Sequence, residues 1–163
     1  MSTLWRNEAN WKKVSSRNSE QKFNRDDIKL LIKAINSFDD IDFYDFANIY
    51  LDKQKFFSFF ALDNYFGGYH HDHNHNHKIY FDPYVGKFEP FAWDLRHWSV
   101  NQSKDVALYP LLERIVLNPL LELERDRVLF NIVKNFSIDE IISSLKEYKK
   151  TIRRDVESDI YRD

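Results

Sequence analysis

The chain has 163 residues, of which 43% are hydrophobic and 17% aromatic, with only 3 Gly and a formal net charge of −2. This length fits one domain with a real core, and the composition argues against disorder and against a turn-rich β-sandwich. The near-neutral charge provides no electrostatic footprint for nucleic acid, so we predict no nucleic-acid partner. The absence of cysteine excludes disulfides and thiolate chemistry but does not indicate a compartment.

The first 24 residues are polar and weakly patterned. We expect an extended lead-in over residues 1–24, in which Trp5 and Trp11 dock locally. This segment has no apolar core of signal-peptide length, and no stretch of the sequence reaches the roughly 20 apolar residues that span a bilayer. We therefore predict that the chain has no membrane span.

Helical patterning starts after the lead-in. Asn24 or Asp26 can cap a first helix, which the spacing of apolar residues predicts to end near Asn36. A second segment, roughly residues 42–66, is rich in Phe and apolar on more than one face. We expect it to form a buried central helix, broken by a short turn at Leu51 to Lys53, whose Phe side chains fill the core and need no cofactor.

A β-hairpin is predicted next. Residues 78–82 and 87–93 favour strands, and Pro83 to Gly86 between them form a turn. Because a hairpin brings the residues before its first strand close to those after its second, we expect Asp72 to Asn76 to face Asp94.

The C-terminal third is predicted to be helical. A helix from about Leu108 breaks at Asn118-Pro119 and is followed by a helix over 120–135. Ser137 starts a last helix with a Ser-Ile-Asp-Glu capping box. We therefore expect a mainly helical α+β fold with one β-hairpin, consisting of a lead-in over 1–24, a domain over 25–150 and a charged C-terminal tail over 151–163.

The polar cluster between the Phe-rich helix and the hairpin is the most informative feature of the chain. Its members are His70, His71, Asp72, His73, Asn74, His75, Asn76 and His77. Each of these groups would need a partner if it were buried, so packing is a poor explanation for this density. We interpret the cluster as a functional site.

Three side chains of this region suit phosphoryl transfer. That reaction needs a carboxylate to orient or deprotonate the acceptor and oxygen ligands that hold Mg²⁺ against the phosphates. Asp72, Asn76 and Asp94 offer acid, amide and acid in the order that protein kinases use, with the hairpin before the last acid. Spacing alone is equally consistent with loop residues that satisfy local turns.

Residues 36–98 resemble the spore coat protein H (CotH) kinase-like family. The elements that carry the resemblance are Gly67-Gly68, Asp72, His75-Asn76, Tyr80, Asp82-Pro83, Gly86-Lys87-Phe88 and Trp93-Asp94. The resemblance implies an atypical protein-kinase-like C-lobe that transfers phosphate from ATP to hydroxyls of a protein substrate with Mg²⁺ or Mn²⁺. It further implies that Asp72 is the catalytic acid, that Asn76 is a metal or loop-orienting ligand, and that Asp94 binds the metal.

The chain departs from the family pattern in two places. The family often continues Trp-Asp-x-Asp, whereas Arg96 stands where the second acid would be; it would either bind phosphate or neutralise Asp94. His75 is a further accessory candidate. No Gly-rich phosphate loop precedes residue 24, so we expect either a catalytic-lobe fragment of a longer protein or a pseudokinase.

Two alternative functions follow from the same residues. His71, His73, His75 and His77 would share one face of an extended segment and could bind zinc, nickel or copper. A non-catalytic structural module of a cell surface is the other alternative. We expect an exported, cell-surface or spore-coat protein if the chain is a CotH-like fragment and a cytoplasmic one otherwise. The sequence identifies neither the acceptor protein nor the oligomeric state.

Overall fold

The helices and the hairpin are described by a computed structural model, which covers residues 4–14, 24–68, 70–72, 74, 76–94 and 107–158. In this part of the chain there are six α-helices and one two-stranded antiparallel sheet, so the predicted mainly helical α+β fold is confirmed. In chain order the elements are α1 Asp26–Ser37, α2 Asp40–Tyr50, α3 Lys53–Tyr65, β1 Ile79–Asp82, β2 Lys87–Pro90, α4 Pro110–Leu117, α5 Pro119–Asn135 and α6 Ile138–Ser158.

The predicted break in the Phe-rich segment separates α2 from α3. Asp39 caps α2 by accepting hydrogen bonds from the backbone N–H groups of Ile41 and Asp42, and Asp52 caps α3 by accepting one from Lys55. Leu51, between the two helices, has extended backbone. Each aspartate favours the start of its own helix, because it satisfies N–H groups that have no partner within that helix.

The hairpin is fixed to this break. Leu51 forms a bridge with Phe88 of β2, and the N–H of Asp52 donates to the carbonyl of Phe88 at 2.8 Å. The predicted turn is present, with Gly86 in the left-handed region at φ 68°. Strand β2 ends at Pro90, earlier than the predicted Trp93, although the N–H of Phe91 still donates to the carbonyl of Lys78.

A single aromatic-rich core fills the larger of two compact units, Met1–Leu129 and Phe130–Asp163. As predicted, the Phe-rich helix supplies much of this core. Its fully or nearly fully buried large side chains are Trp5, Leu31, Phe43, Phe46, Leu51, Phe56, Phe57, Phe60, Phe88, Tyr109, Leu111, Ile115 and Leu121.

The N-terminal residues contribute to the core instead of only docking on its surface. The expected extended lead-in contains short 3₁₀ helices at Leu4–Arg6 and Glu8–Asn10. Trp5 is 1% exposed, its ring stacks on Tyr109, and its carbonyl accepts a hydrogen bond from Asn36 of α1. The sequence does not predict the burial of Trp5, because a single large aromatic residue among polar neighbours produces no hydrophobic periodicity.

The predicted break at Asn118-Pro119 turns the chain from α4 into α5. Asn118 accepts hydrogen bonds from the N–H groups of Leu120 and Leu121 and donates one to the carbonyl of Asp40. The same side chain therefore caps α5 and ties it to the start of α2.

The smaller unit contains the end of α5 and the exposed helix α6. The predicted capping box is present: the N–H of Glu140 donates to the hydroxyl of Ser137, and the N–H of Ser137 donates to the carboxylate of Glu140. Helix α6 has no buried residue and continues to Ser158. The boundary between the two compact units lies between Leu129 and Phe130. No helix in the described ranges combines the length and the apolar character that crossing a bilayer requires.

Candidate functional site

The end of α3 supplies a buried acid to the site. Asp63 follows Phe56 and Phe60 at helical spacing, so its side chain lies on the core face and is only 8% exposed. Gly67, at φ 66°, reverses the chain, and the N–H of Gly68 donates to the carbonyl of Asp63 at 2.7 Å. A Cβ atom at Gly68 would lie 2.1 Å from Oδ1 of Asp63. Glycine is therefore required at this position by the close approach of the carboxylate.

His71 connects this acid to the chain after the hairpin. Its side chain is 2% exposed, with Nδ1 3.5 Å from Oδ2 of Asp63 and Nε2 2.8 Å from the carbonyl oxygen of Trp93. Because a carbonyl only accepts, Nε2 must be the donor. Burial opposes a charge on His71, but Asp63 and the Trp93 carbonyl together outweigh burial and raise the pKa of the imidazole.

His77 has the opposite electrostatic environment. Its ring packs against Trp5 at 5.0 Å and Tyr109 at 4.3 Å between centroids, and its Nε2 lies 2.5 Å from the carbonyl oxygen of Asp72. Burial lowers the pKa of His77 to about 4. His77 is therefore neutral at pH 7 and donates through Nε2 to the backbone at Asp72.

Two of the predicted site residues meet a common neighbour, His70. Nε2 of His70 lies 3.0 Å from Oδ2 of Asp94, and the amide nitrogen of Asn76 donates to the carbonyl of His70 at 3.1 Å. The amide oxygen of Asn76 is left as the atom that can face a cation. The hairpin thus brings His70, the first residue of the polar cluster, beside Asp94.

Asp72 is held by a local turn. Its Oδ1 accepts a hydrogen bond from the backbone N–H of Asn74 at 2.8 Å, while its own carbonyl is bound by His77. Carboxylate and carbonyl are thus both anchored, which fixes the direction in which Asp72 points.

Asn76 and Asp94 share an uncommon backbone conformation. Their φ angles are 67° and 52°, in the left-handed region. Such angles are unfavourable for residues with a Cβ, although Asn and Asp tolerate them best. Residues held in this region by their surroundings concentrate at binding and catalytic sites, because the angle directs a side chain that ordinary backbone would turn away.

The cavity behind the cluster is small. It has space for only about one water molecule, roughly 10 Å³, and is bordered by Trp5, Phe60, His71, His77 and Tyr109. A nucleotide therefore does not fit within this cavity.

Other predicted site residues are only partly described. His73, His75 and Arg96 lie outside the described residues. In the ranges that the structure covers, no three His, Asp or Glu side chains are grouped so as to hold a metal ion. Nε2 of His71 donates to the Trp93 carbonyl, whereas Nδ1 lies 3.5 Å from Asp63 without a hydrogen bond.

The side chain of Trp93 does not anchor the end of the hairpin. It is 46% exposed, and the ammonium of Lys78 lies over its ring. The anchor is instead the backbone carbonyl of Trp93, which His71 binds. Side-chain type cannot predict this role, because every residue has a carbonyl group.

Sequence reasoning missed Asp63 and Tyr109. A signal for Asp63 was present: an acid that continues the buried face of Phe56 and Phe60 needs a buried partner. Tyr109 had no such signal, since it becomes part of the site only through packing on His77. Burial, together with the charge of Asp63, raises the pKa of Tyr109 and keeps its hydroxyl protonated.

Comparisons with known proteins add no relative to this description. No family model, no curated protein and no solved structure matches the chain.

Proposed function

We propose that this chain is a CotH-like phosphotransferase lobe that binds ATP with Mg²⁺ or Mn²⁺ and transfers phosphate to hydroxyls of a protein. The observation that carries the proposal is the contact of the polar cluster with the chain after the hairpin. It consists of the pairs His70–Asp94 and His71–Trp93. This contact supports the order of catalytic acid, amide and metal-binding acid that the family resemblance implies.

The donor atoms near His70 fit a magnesium ion shared with a nucleotide. Asp94 and Asn76 supply a carboxylate and an amide oxygen, which are hard ligands of the kind Mg²⁺ prefers. Mg²⁺ in such sites takes one or two protein ligands and completes its shell with phosphate oxygens and water. Two protein ligands are therefore sufficient for Mg²⁺ with ATP, whereas zinc requires three or four.

Each residue has a defined task in this proposal. Asp94 and Asn76 hold the cation against the phosphates, and when bound it neutralises the charge that develops on them. Asp72 orients or deprotonates the acceptor hydroxyl, in the position fixed by Asn74 and His77. His70 donates to Asp94 and keeps the carboxylate oriented in the absence of the cation.

Residues behind the proposed metal site support the position of Asp94. His71 donates to the carbonyl of Trp93, the residue immediately before Asp94, and its Nδ1 lies 3.5 Å from the carboxylate of Asp63. The end of α3 therefore sets the position of the metal-binding acid through one buried imidazole. We expect such a support to affect the affinity for metal and nucleotide more than the chemical step.

The test is a transfer assay with labelled ATP, Mg²⁺ or Mn²⁺ and a serine-rich protein acceptor. We expect Asp72→Asn to lower the rate by about 10²- to 10⁴-fold, which is typical of losing a general base, and Asp94→Ala to abolish transfer. Asp155→Ala in α6 removes an acid far along the chain from the site and serves as the control. If transfer is observed and Asp94→Ala leaves it unchanged, the assignment of the metal ligand is wrong.

A non-catalytic module is the alternative outcome of the same experiment. A pseudokinase or surface structural domain would show no transfer with any acceptor. Stoichiometric zinc or nickel after chelation and re-addition would instead indicate a histidine site that involves His73 and His75.

A further inference from the structure

We propose that helix α6 pairs antiparallel with α6 of a second copy of this chain. The helix presents a continuous apolar stripe whose members recur at steps of three or four residues. They are Ile138, Ile141, Ile142, Leu145, Tyr148, Ile152 and Val156. This spacing places all seven side chains on one face over a length of about 27 Å.

The stripe is open to solvent in the single chain. Apart from the partly buried Ile141, its members are between 42% and 67% exposed. A contiguous apolar face of this kind on a helix with no buried residue indicates a surface that another molecule covers. The steps of three and four residues are those of helices that pair along a shared seam.

The charges along the helix identify the partner and its direction. Residues 138–148 contain three acids and one base, a net charge of −2, whereas residues 149–158 contain four bases and two acids, a net charge of +2. Two copies placed antiparallel bring each acidic half beside a basic half, while a parallel pair would place like charges together. The surface is therefore complementary to itself in the reversed orientation, which is the requirement of a two-fold symmetric dimer.

A lipid surface is a poorer partner for this helix. Amphipathic helices that bind anionic membranes carry basic residues along their whole polar face. Here the first half carries Asp139, Glu140 and Glu147, which an anionic headgroup layer would repel. Lys149 lies within the apolar face, where its aliphatic stem can cover neighbouring side chains while the ammonium reaches water.

Sedimentation equilibrium of the full chain tests the pairing. We expect the average mass to rise with concentration from 19.8 kDa toward twice that value. Leu145→Glu places a charge in the stripe and should return the mass to that of the monomer at the same concentrations. Ser143→Glu adds the same charge on the opposite face of α6 and should leave the dimer intact. Circular dichroism of both variants checks that α6 remains helical.

Cross-linking tests the direction of the pair. The chain has no native cysteine, so Ile138→Cys and Val156→Cys each introduce a single thiol at opposite ends of the stripe. A short bismaleimide should link Ile138→Cys chains to Val156→Cys chains in a mixture of the two variants, and should link neither variant to itself.

Three results would overturn the proposal. One is a mass that stays at the monomer value up to about 1 mM protein, the limit of weak association. The second is cross-linking of each variant only with itself, which indicates a parallel pair. The third is a monomer that binds vesicles of phosphatidylcholine and phosphatidylserine through Leu145. Because α6 is remote in sequence from residues 63–94, none of these results depends on the proposed phosphotransferase activity.

Discussion

His71 and His77 lie 5.9 Å apart between ring centroids, yet their environments shift their pKa values in opposite directions. Asp63 and the Trp93 carbonyl favour the charged form of His71 despite its burial. For His77, burial between Trp5 and Tyr109 dominates and favours the neutral form. The two imidazoles thus favour opposite charge states, and each shift has a different neighbour as its cause.

The pH dependence of stability should show the effect of His77. With a pKa of about 4 in the folded chain and about 6.5 in the unfolded chain, the unfolded state binds more protons between these values. The free energy of unfolding should therefore fall as pH falls from 6.5 to 4, by about 3 kcal/mol from this group. This contribution is absent from the His77→Gln variant. Its free energy of unfolding should therefore fall less between pH 7 and pH 4 than that of the wild type, as measured by urea unfolding.

His71 contributes to the same curve with the opposite sign. Its raised pKa means that the folded state binds more protons, so its stabilisation is fully present below pH 6.5 and is lost as pH rises through the folded pKa. The comparison of His77→Gln with the wild type separates the two groups. An equal fall in the free energy of unfolding between pH 7 and pH 4 in both proteins would show that His77 is not the neutral group described above.

The contact between Gly68 and Asp63 leads to a residue-level prediction. Gly68→Ala forces a methyl group against Oδ1 of Asp63 and should lower the free energy of unfolding by about 1–3 kcal/mol, typical of overpacking. It should also displace the carboxylate and shift the NMR titration of His71. The matched control is Gly86→Ala, which has open space around it but a positive φ of 68°.

The two alanine variants should differ in their effect on the titration of His71. Gly86→Ala should cost about 1–2 kcal/mol through its left-handed backbone alone and leave the titration of His71 unchanged. A normal His71 titration in Gly68→Ala would contradict the link between the glycine turn and the acid.

At the level of elements, the hairpin is positioned by its attachment to the junction of α2 and α3. The bridge between Leu51 and Phe88 and the hydrogen bond from Asp52 fix β2, and β1 is fixed by pairing with it. The chain ends on either side of the hairpin are then brought together, with the N–H of Phe91 donating to the carbonyl of Lys78 at 2.9 Å. The contacts of Asp94 depend on this attachment.

Truncation of Phe88 should therefore affect both stability and the site. Phe88 is 2% exposed, so Phe88→Ala should lower the free energy of unfolding by about 3–5 kcal/mol and loosen the position of Asp94. Tyr84, which is 98% exposed at the tip of the hairpin, is a matched control, because Tyr84→Ala should change stability by less than about 0.5 kcal/mol. Chemical denaturation of both variants measures the difference, and similar values would contradict the anchoring role of Phe88.

Local signals predicted most of these elements. The breaks at Leu51 and Asn118, the turn at Gly86 and the capping box at Ser137 depend on backbone chemistry that one or a few residues carry. The His71–Asp63 pair and the burial of Trp5 were not predictable in the same way. Trp5 packs on Tyr109, far along the chain, which leaves no pattern within a short window. The pairing of His71 with Asp63 depends on the course of the chain through the turn at Gly67-Gly68, which residue type alone does not predict.

At the level of the whole molecule, the proposed nucleotide site and the proposed dimer contact belong to different units of the chain. The unit Met1–Leu129 contains the core and the polar cluster, and the unit Phe130–Asp163 contains the exposed stripe of α6. Substitutions in the stripe should therefore change the mass in solution without changing nucleotide binding, and substitutions at Asp94 should do the reverse. This separation makes the two proposals independently testable.

We propose that the polar cluster and Asp94 form a site for ATP with a divalent cation. Calorimetric titration of the full chain with ATP in the presence of Mg²⁺ tests it most directly. We predict saturable binding with one site per chain that disappears when Mg²⁺ is removed and is strongly weakened by Asp94→Ala but not by Asp155→Ala. No binding to the folded wild-type chain, or equal binding with and without Mg²⁺, would contradict the claim.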